Sequence, residues 1–514
     1  LKRQIDFFKT MGLGGVCLHA RTGLQTEYLS RKWFDLMRVC VEHARDRGML
    51  VWLYDEDRYP SGGAGGLVTV DPQYRQKRLR MEFVSRNKAG SVSDVIAWFA
   101  FADRSTQPRD YRRLSNPSDC RADEQLVAFR TLNAPLNRWY NGYTYLDAAN
   151  SKAVRKFIDS TYEPYKRHLG KHFGKTIEAM FTDEPTYGQS MIGWWGDFID
   201  GYKDAELLEV PWTKDLLKLF ERDSGYTILD RLPDLYFDAG KLFSKTRHDY
   251  YNLLTTQLTQ SFAAQIHQWC KRANLKFAGH VLLEETCSSQ TSVVGSAMQF
   301  YEHFDIPGID LLTDACPDYD TAIQCASVAR QTGRQWVLSE TYGATGWDFP
   351  LEGHKAVGDW QAALGVNRRC LHLAFYTMLG GNKRDYPASI GFQEAWATHY
   401  KPVEDYFARL GTVLSKGSAR CPLLVIHPVE STWIRWRLGA NKASDVKPMD
   451  RRLISLRNWV LQEHLGFDYG EEQLLSRWAR VEGRGAKARL HVGKCSYEIV
   501  LVPPMLTMRR STLV

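Results

Sequence analysis

Short apolar runs alternate with helical stretches along most of this chain, and this alternation restricts the fold more than any other feature. Between the runs lie stretches with helical periodicity, such as residues 31–48 and 151–172. Strands that alternate with helices form a parallel sheet covered by helices. The pattern therefore predicts an α/β fold. Seven runs have the length and side chains of buried strands: 15–20, 49–54, 177–182, 276–281, 308–312, 335–339 and 370–376.

A (β/α)8 TIM barrel accounts for these runs, and a doubly wound open sheet is the competing fold. Residues 1–9 have the pattern of a helix that follows a first strand, so a count of eight places strand one before residue 1. The barrel then spans residues 1–415, with an inserted β-rich lobe over residues 67–146. Residues 416–514 have the pattern of the start of a flavodoxin-like α/β domain. A ring of polar strand ends favours the barrel.

Composition excludes several classes of protein. The chain has 514 residues, of which 44% are hydrophobic and 25% charged, so it is not intrinsically disordered. Its net charge of +8 comes from basic residues spread along the chain, so we expect no nucleic-acid partner. We expect no membrane span and no signal peptide. We expect a cytoplasmic location, and secretion stays open because the chain starts within a helix and without Met. Homo-oligomerisation also stays open.

Polar residues follow the predicted strands at the end of a barrel where active sites are built. Because the carboxyl ends of barrel strands meet at one mouth, we expect these side chains to form one site. The alternative for each individual Asp or Glu among them is a surface residue that forms a salt bridge and has no role in a site. The residues are His19, Arg21, Asp55, Glu56, Asp57, Arg58, Asp183, Glu184, His280, Glu284, Glu285, Asp310, Asp314, Glu340, Tyr342, His372 and Tyr376.

Two of these strand ends supply a pair of carboxylates suited to hydrolysis of a glycosidic bond, which needs an acid and a nucleophile or base. Glu184 in FTDEPTYG ends the fourth strand of the count, and its neighbour Asp183 is a like charge that would raise its pKa. Glu340 in WVLSETYG ends the seventh strand, with Tyr342 as a hydrogen-bond donor. We predict Glu184 as the acid and Glu340 as the nucleophile or base.

Other mouth residues are candidate contacts to a saccharide. Carboxylates bind sugar hydroxyls or hold a cation, and aromatic faces stack on sugar C–H surfaces. Trp194 and Trp195 are further candidates for stacking on a sugar. The charged residues 55–58 have an alternative interpretation as a solvent-exposed charge run. Glycines 62, 63, 65 and 66 lack a phosphate-binding motif and predict a flexible loop or lid. The candidate substrate contacts are His19, Arg21, Asp55, Glu56, Asp183, His280, Glu284, Tyr342, His372 and Trp347.

Four strings together resemble the barrel of bacterial glycoside hydrolases related to the α-L-rhamnosidases of family 106. They are GGVCLHARTGLQTEYLSRKWF, VWLYDEDRYPSGGAGG, YLDAANSKAVRKFI and FTDEPTYG. The unit beginning at CPLLVIHPVESTW is similar in position and pattern to the domain that follows the barrel in family 42 β-galactosidases. The resemblance implies a glycosidase. Placement of acids on strands four and seven resembles the retaining clan, which usually has Asn where this chain has Asp183.

The resemblance to family 106 implies a different stereochemistry. Those enzymes are inverting and calcium-dependent, which would make Glu284 or Glu285 the second carboxylate and place Asp55, Glu56 or Glu284 around a calcium ion. The favoured interpretation is a retaining hydrolase that removes a terminal sugar from an oligosaccharide or glycoside, with no cofactor required and calcium as an option. A carbohydrate-binding barrel without catalysis is the alternative of another class. A metal-dependent amidohydrolase is disfavoured, because His19-Ala20-Arg21 lacks the HxH pair.

Overall fold

The structure is a computed structural model that describes residues 1–21, 23–102, 110–188, 208–238, 244–314, 318–437 and 446–513. Its strands are β1 (Gly15–Leu18), β2 (Leu50–Tyr54), β3 (Lys77–Phe83), β4 (Val95–Phe101), β5 (Tyr111–Leu114), β6 (Gln125–Asn133), β7 (Ile177–Asp183), β8 (Leu208–Trp212), β9 (Lys276–His280), β10 (Ile306–Ile309), β11 (Leu338–Thr341), β12 (Arg368–Leu371), β13 (Leu423–His427), β14 (Phe467–Glu471), β15 (Ala479–Glu482), β16 (Arg489–Val492), β17 (Cys495–Tyr497) and β18 (Ile499–Leu501). Its α-helices are Lys2–Thr10, Arg31–Asp46, Ser151–Phe157, Glu163–Leu169, Leu216–Ser224, Lys245–Leu258, Gln265–Arg272, Cys287–Val293, Ala297–Tyr301, Asp320–Thr332, Leu351–Ala363, Lys401–Leu414, Val429–Trp433, Lys447–Gln462, Glu472–Trp478 and Arg510–Leu513.

The largest sheet holds seven parallel strands in the order of the chain: β1, β2, β7, β9, β10, β11 and β12. Helices separate successive strands, as expected where each parallel connection must cross over one face of the sheet. One apolar cluster joins side chains from the first strand to the last, including Cys17 of β1 and Cys370 of β12, so the sheet curls around it. This sheet confirms the predicted α/β barrel class. The predicted fourth and seventh strands are β7 and β11.

The first long helix shows how local sequence builds the layer outside the sheet. Ser30 caps Arg31–Asp46 by accepting a hydrogen bond from the backbone N–H of Trp33 at 3.2 Å. Trp33, Phe34, Met37 and Val41 lie on one side at helical spacing and are buried. The amphipathic pattern thus positions the helix against the barrel.

Element boundaries differ from the sequence expectation in two places near the mouth. The last barrel strand was expected to run to Tyr376 but ends at Leu371, and Tyr376 is largely exposed. The apolar periodicity of residues 392–414 predicts a helix over that range, but the helix begins only at Lys401, where Pro402 occupies its first turn. Proline is favoured at that position because the first turn has no use for its missing N–H.

A separate antiparallel sheet has the order β5-β4-β6-β3-β8. The two strand-like runs expected between residues 67 and 146 correspond to β4 and β6. The sheet also recruits β8, which lies beyond that range and pairs with β3. β3 and β5, rich in Arg and Lys, were missed because their polar face obscured the apolar alternation.

Two small sheets follow the barrel: parallel β14-β13-β18 and antiparallel β15-β16-β17. Arg330 of the barrel helix Asp320–Thr332 forms a salt bridge with Asp468 of β14, which also accepts a hydrogen bond from Tyr497 at 2.8 Å. Buried polar contacts of this kind fix how the small sheets lie on the barrel. Among the described helices, none has the length and apolar character needed to cross a membrane.

Candidate active site

The pleat of the barrel strands determines which polar side chains reach the mouth. Side chains in a strand alternate between two faces, so residues two apart point the same way. The inner cluster contains Phe181, Ala278 and Leu338. Two residues further along the same three strands stand Asp183, His280 and Glu340. Cys17 and Cys370 precede His19 and His372 at the same spacing.

His280 connects two of these carboxylates. Its Nε2 lies 3.0 Å from Oε2 of Glu340 and 3.7 Å from Oδ1 of Asp183. The other oxygen of Glu340, Oε1, lies 3.5 Å from Nε2 of His372. The hydroxyl of Tyr54 donates to Oδ2 of Asp183 at 2.6 Å. The carboxyl ends of β2, β7, β9 and β11 are therefore joined by one polar cluster.

Glu184 stands beside this cluster in an unusual backbone conformation. It follows β7 with φ of 51°, in the left-handed region that few residues other than glycine adopt, and its side chain is 8% exposed. Burial, the charge of Asp310 and the charge of Asp183 raise the pKa of Glu184 well above its usual value. Glu184 in turn forms a hydrogen bond with Asp310, the residue after β10. These surroundings favour the protonated form of Glu184.

Glu340 has the opposite electrostatic environment. Burial alone would raise its pKa, but the nearby His372 and the hydrogen bond from His280 lower the pKa to about 2. Burial also opposes the charging of His280, yet Asp310, Asp183 and Glu340 together raise the pKa of this imidazole well above its usual value. The pKa values of Glu184 and Glu340 are thus shifted in opposite directions at one barrel mouth.

Asp55 and Glu56, both candidate substrate contacts, are buried and form hydrogen bonds within the protein. Asp55 is one residue out of register with the inward-facing Tyr54, and its oxygens accept hydrogen bonds from Ser61 and Tyr162. Glu56 accepts from four backbone N–H groups, those of Asp57, Gly62, Ala64 and Gly65, at 2.6–3.0 Å. The structure does not bring either carboxylate into the mouth cluster.

The glycine-rich loop, residues 62–66, is consequently a cradle for a carboxylate of its own chain. Gly62, Gly65 and Gly66 have positive φ values. A Cβ at Gly62 would lie 2.2 Å from the side chain of Leu146, so a larger residue would not fit there. The loop predicted to be a flexible lid is instead held by three hydrogen bonds to Glu56, from Gly62, Ala64 and Gly65.

Tyr342 and Glu284 also differ in their surroundings from the other candidates. Tyr342 is fully buried with φ of 78°, and its hydroxyl donates to the carbonyl of His354 at 2.8 Å, so it does not bond to Glu340. Oε1 of Glu284 accepts from the hydroxyl of Tyr301 at 2.9 Å. Burial and the charge of Asp310 raise the pKa of Glu284, which places it near the acid side of the cluster.

His19, Arg21 and His372 lie on the β1 and β12 side of the mouth. Nε2 of His19 is buried and has no hydrogen-bond partner within the described ranges, while its ring packs on Tyr54 with centroids 3.7 Å apart. Arg21 forms a two-point salt bridge to Asp385 at 2.7 and 3.1 Å. Burial lowers the pKa of His372 to about 4 and that of His19 well below its usual value. The uncharged imidazoles suit hydrogen bonding to sugar hydroxyls.

The aromatic candidates are only partly placed. Trp347 is 38% exposed, donates from its indole to the carbonyl of Lys383 at 3.2 Å, and packs edge-on against Phe375. That geometry leaves part of the indole free for contact with a ligand. Trp194 and Trp195 lie outside the described residues.

The donor chemistry of the cluster was tested against calcium, the ion that the resemblance implies. Asp183, Glu184 and His280 offer ligand atoms within 4.8 Å of one another. His280 does not fit, because Nδ1 faces the carbonyl of Val281 at 3.2 Å and Nε2 bonds Glu340. Calcium takes oxygen ligands, so this group of three, with its imidazole, does not suit a calcium ion.

Sequence reasoning missed two residues that fix the acid side of the site. Tyr54 reads as an apolar strand residue, yet it holds Asp183. Ser61 lies in the glycine-rich loop and bonds the backbone of Asp183 in both directions. The sequence could have identified Tyr54, because it lies two residues after the inward-facing Trp52 and therefore points the same way. No local pattern identifies Ser61.

Comparisons with known proteins identify the family and support the fold. Residues 130–427, more than half of the chain, match the family model of α-L-rhamnosidases, glycoside hydrolase family 106. The structure is similar to that of a rhamnosidase from Novosphingobium sp. PP1Y, with a TM-score of 0.66 and 14% identity, covering 100% of this chain and 65% of that one. It is also similar to a polyextremophilic β-galactosidase from the Antarctic haloarchaeon Halorubrum lacusprofundi, with a TM-score of 0.50 and 12% identity, covering 92% of this chain and 64% of that one. The chain thus spans just under two thirds of the length of either structure. A sequence comparison with curated proteins finds no match.

Proposed function

Because the chain belongs to the α-L-rhamnosidase family of glycoside hydrolases, family 106, we propose that it hydrolyses the glycosidic bond of a terminal sugar. Glu184 is the general acid and Glu340 is its ionised partner. The observation that carries the proposal is the opposite perturbation of these two carboxyl groups at neighbouring strand ends, with the pKa of Glu184 raised and that of Glu340 lowered to about 2. Glycoside hydrolysis requires such a pair.

In this mechanism Glu184 donates its proton to the glycosidic oxygen as the bond to the sugar breaks. The ionised Glu340 stabilises the positive charge that develops on the sugar ring. The uncharged His19 and His372 bind hydroxyl groups of the sugar, and Trp347 stacks at the rim. Asp183 supports Glu184 by placing a second negative charge beside it, which opposes loss of the proton.

For the stereochemistry we propose retention, with Glu340 as the nucleophile. β7 and β11 carry the two acids at the places that resemble those of retaining barrels. Glu340 is also held with both oxygens against imidazoles, which fixes its direction: Oε2 at 3.0 Å from His280 and Oε1 at 3.5 Å from His372. A fixed carboxylate suits direct attack on the sugar carbon.

A second candidate is an inverting, cation-dependent hydrolase, which the resemblance to family 106 implies. One observation favours it: the carboxyl groups of Asp183, Glu184, Glu284, Asp310 and Glu340 are gathered there, with His280 as the one cation that bonds to them within the described residues. The resemblance would place Glu284 around a calcium ion. Such an ion supplies positive charge that binds sugar hydroxyls.

A panel of nitrophenyl glycosides that includes the α-L-rhamnoside, assayed with and without a chelator, tests the proposal. We expect release of nitrophenol from at least one terminal glycoside, and activity that survives the chelator. Activity that is lost with the chelator and restored by calcium supports the second candidate instead. A folded protein that binds saccharides but cleaves none of the panel contradicts both and indicates a carbohydrate-binding barrel.

A further inference from the structure

The imidazole of His280 is buried beneath the mouth, and both of its nitrogens face fixed acceptors. Nδ1 lies 3.2 Å from the carbonyl oxygen of Val281, and Nε2 lies 3.0 Å from Oε2 of Glu340. Only 1% of the residue is exposed, and its ring packs edge-on against Phe181 with centroids 5.6 Å apart. A histidine that donates from both nitrogens carries a positive charge. Neither nitrogen is free to bond a sugar.

Charged groups surround this imidazole from every neighbouring strand. Burial lowers its pKa, but the carboxylates of the cluster outweigh burial and raise the pKa well above the usual value. The second imidazole, His372, faces the same Glu340 from β12. Five carboxyl groups interact electrostatically with His280: Asp183 and Glu184 from the end of β7, Glu284 after β9, Asp310 after β10 and Glu340 on β11.

We propose that His280 is a positioning residue, which aims Glu340 through the bond from Nε2 to Oε2 and keeps that carboxylate ionised among its acidic neighbours. This inference rests on the proposed function and gives His280 a role other than substrate contact. Without the imidazolium, Glu340 would face the negative charge of Asp183 with no cation bonded to it. Like charges at such distances favour uptake of a proton.

The first test is the pH dependence of kcat/KM for an activated aryl glycoside in His280→Gln. We expect the acidic limb of the profile to move up by about one to three pH units, the range for loss of one close opposite charge. KM should stay within about twofold because His280 does not reach the sugar. The matched control is His354→Gln, a buried histidine bonded to Tyr400 at 2.9 Å, which should leave the limb in place. An unmoved limb in His280→Gln overturns the proposal.

The second test does not depend on activity or on a stable variant at position 280. Histidine labelled with 15N reports by NMR whether each ring nitrogen carries a proton, and His280→Gln identifies the signal. We expect wild-type His280 to hold both protons at pH 7 and to titrate at a lower pH in Glu340→Gln. A neutral His280 at pH 7 overturns the inference. An inactive wild type with a charged His280 would instead contradict the proposed function alone.

Discussion

Ser61 and Asp183 bond each other in both directions. The backbone N–H of Ser61 donates to the carbonyl oxygen of Asp183 at 2.7 Å, and the N–H of Asp183 donates to Oγ of Ser61 at 2.9 Å. The Ser61 hydroxyl itself donates to Asp55. The glycine-rich loop after β2 is therefore fastened to the strand end that precedes Glu184, which links the shape of the loop to the position of the acid.

Replacing Ser61 with Ala should destabilise the protein by about 1–3 kcal/mol, because it removes the side-chain acceptor of the buried N–H of Asp183 and one of the two donors to the carboxylate of Asp55. Urea unfolding measures the loss. Ser476→Ala, at an exposed position on the helix Glu472–Trp478, is the matched control and should change stability by less than about 0.5 kcal/mol. Equal stability of the two variants would show that the bonds between loop and strand contribute little.

Glu184→Gln should separate substrates by their leaving groups. Loss of the proton donor should slow hydrolysis of alkyl glycosides or disaccharides by about 10²–10⁴, because a poor leaving group must be protonated as it departs. Nitrophenyl glycosides need little protonation and should lose much less. The ratio of kcat/KM values for the two substrate types measures the effect. Equal losses for both types would remove Glu184 from the acid role.

The configuration of the first-formed sugar distinguishes the two stereochemical candidates. If Glu340 is the nucleophile, the sugar should first appear with the anomeric configuration of the substrate, because two displacements restore it. Proton NMR of the reaction before mutarotation observes this directly. Early appearance of the opposite anomer would make Glu340 or Glu284 a base acting through water.

The barrel interior could be predicted further than its rim. The strand positions follow from apolar runs, and the pleat then places Asp183, His280 and Glu340 on one face. Asp55 was grouped with them because it directly follows an apolar strand, although its register turns it away toward Tyr162. Residues two positions after an inward-facing residue, such as Asp183 after Phe181, point into the mouth, whereas Asp55, one position after Tyr54, does not.

Backbone conformation beyond the strand ends could not be predicted. Glu184 and Tyr342 both adopt positive φ, which redirects their side chains in ways that residue type does not disclose. The nest of N–H groups around Glu56 likewise depends on a loop path that brings Gly62, Ala64 and Gly65 back to one carboxylate. Such contacts arise from tertiary structure rather than from local pattern.

Stability should depend on pH through Glu471 at the end of β14. Burial and the charge of Glu430 raise its pKa to about 7, while Gln299 donates to it at 2.8 Å. Since the pKa in the unfolded chain is about 4.3, the contribution of Glu471 is fully present below pH 4 and is lost as the pH rises through 7.

Glu471→Gln removes this titration. The Tm difference between variant and wild type should therefore become more positive from pH 5 to pH 8, by the equivalent of up to about 3 kcal/mol. Thermal unfolding at the two pH values measures it, and the exposed Glu463→Gln is the control for the substitution itself. The same difference at both pH values would indicate that Glu471 is ionised throughout.

Whether Glu340 is the ionised partner of the acid in glycoside hydrolysis is best measured by the turnover of nitrophenyl α-L-rhamnoside in wild type and in Glu340→Gln. We expect the wild type to release nitrophenol and Glu340→Gln, with an unchanged unfolding midpoint, to be slower by about 10³ or more, since the ionised partner of the acid is gone. A Glu340→Gln protein that turns over at the rate of the wild type would show that Glu340 does not have this role.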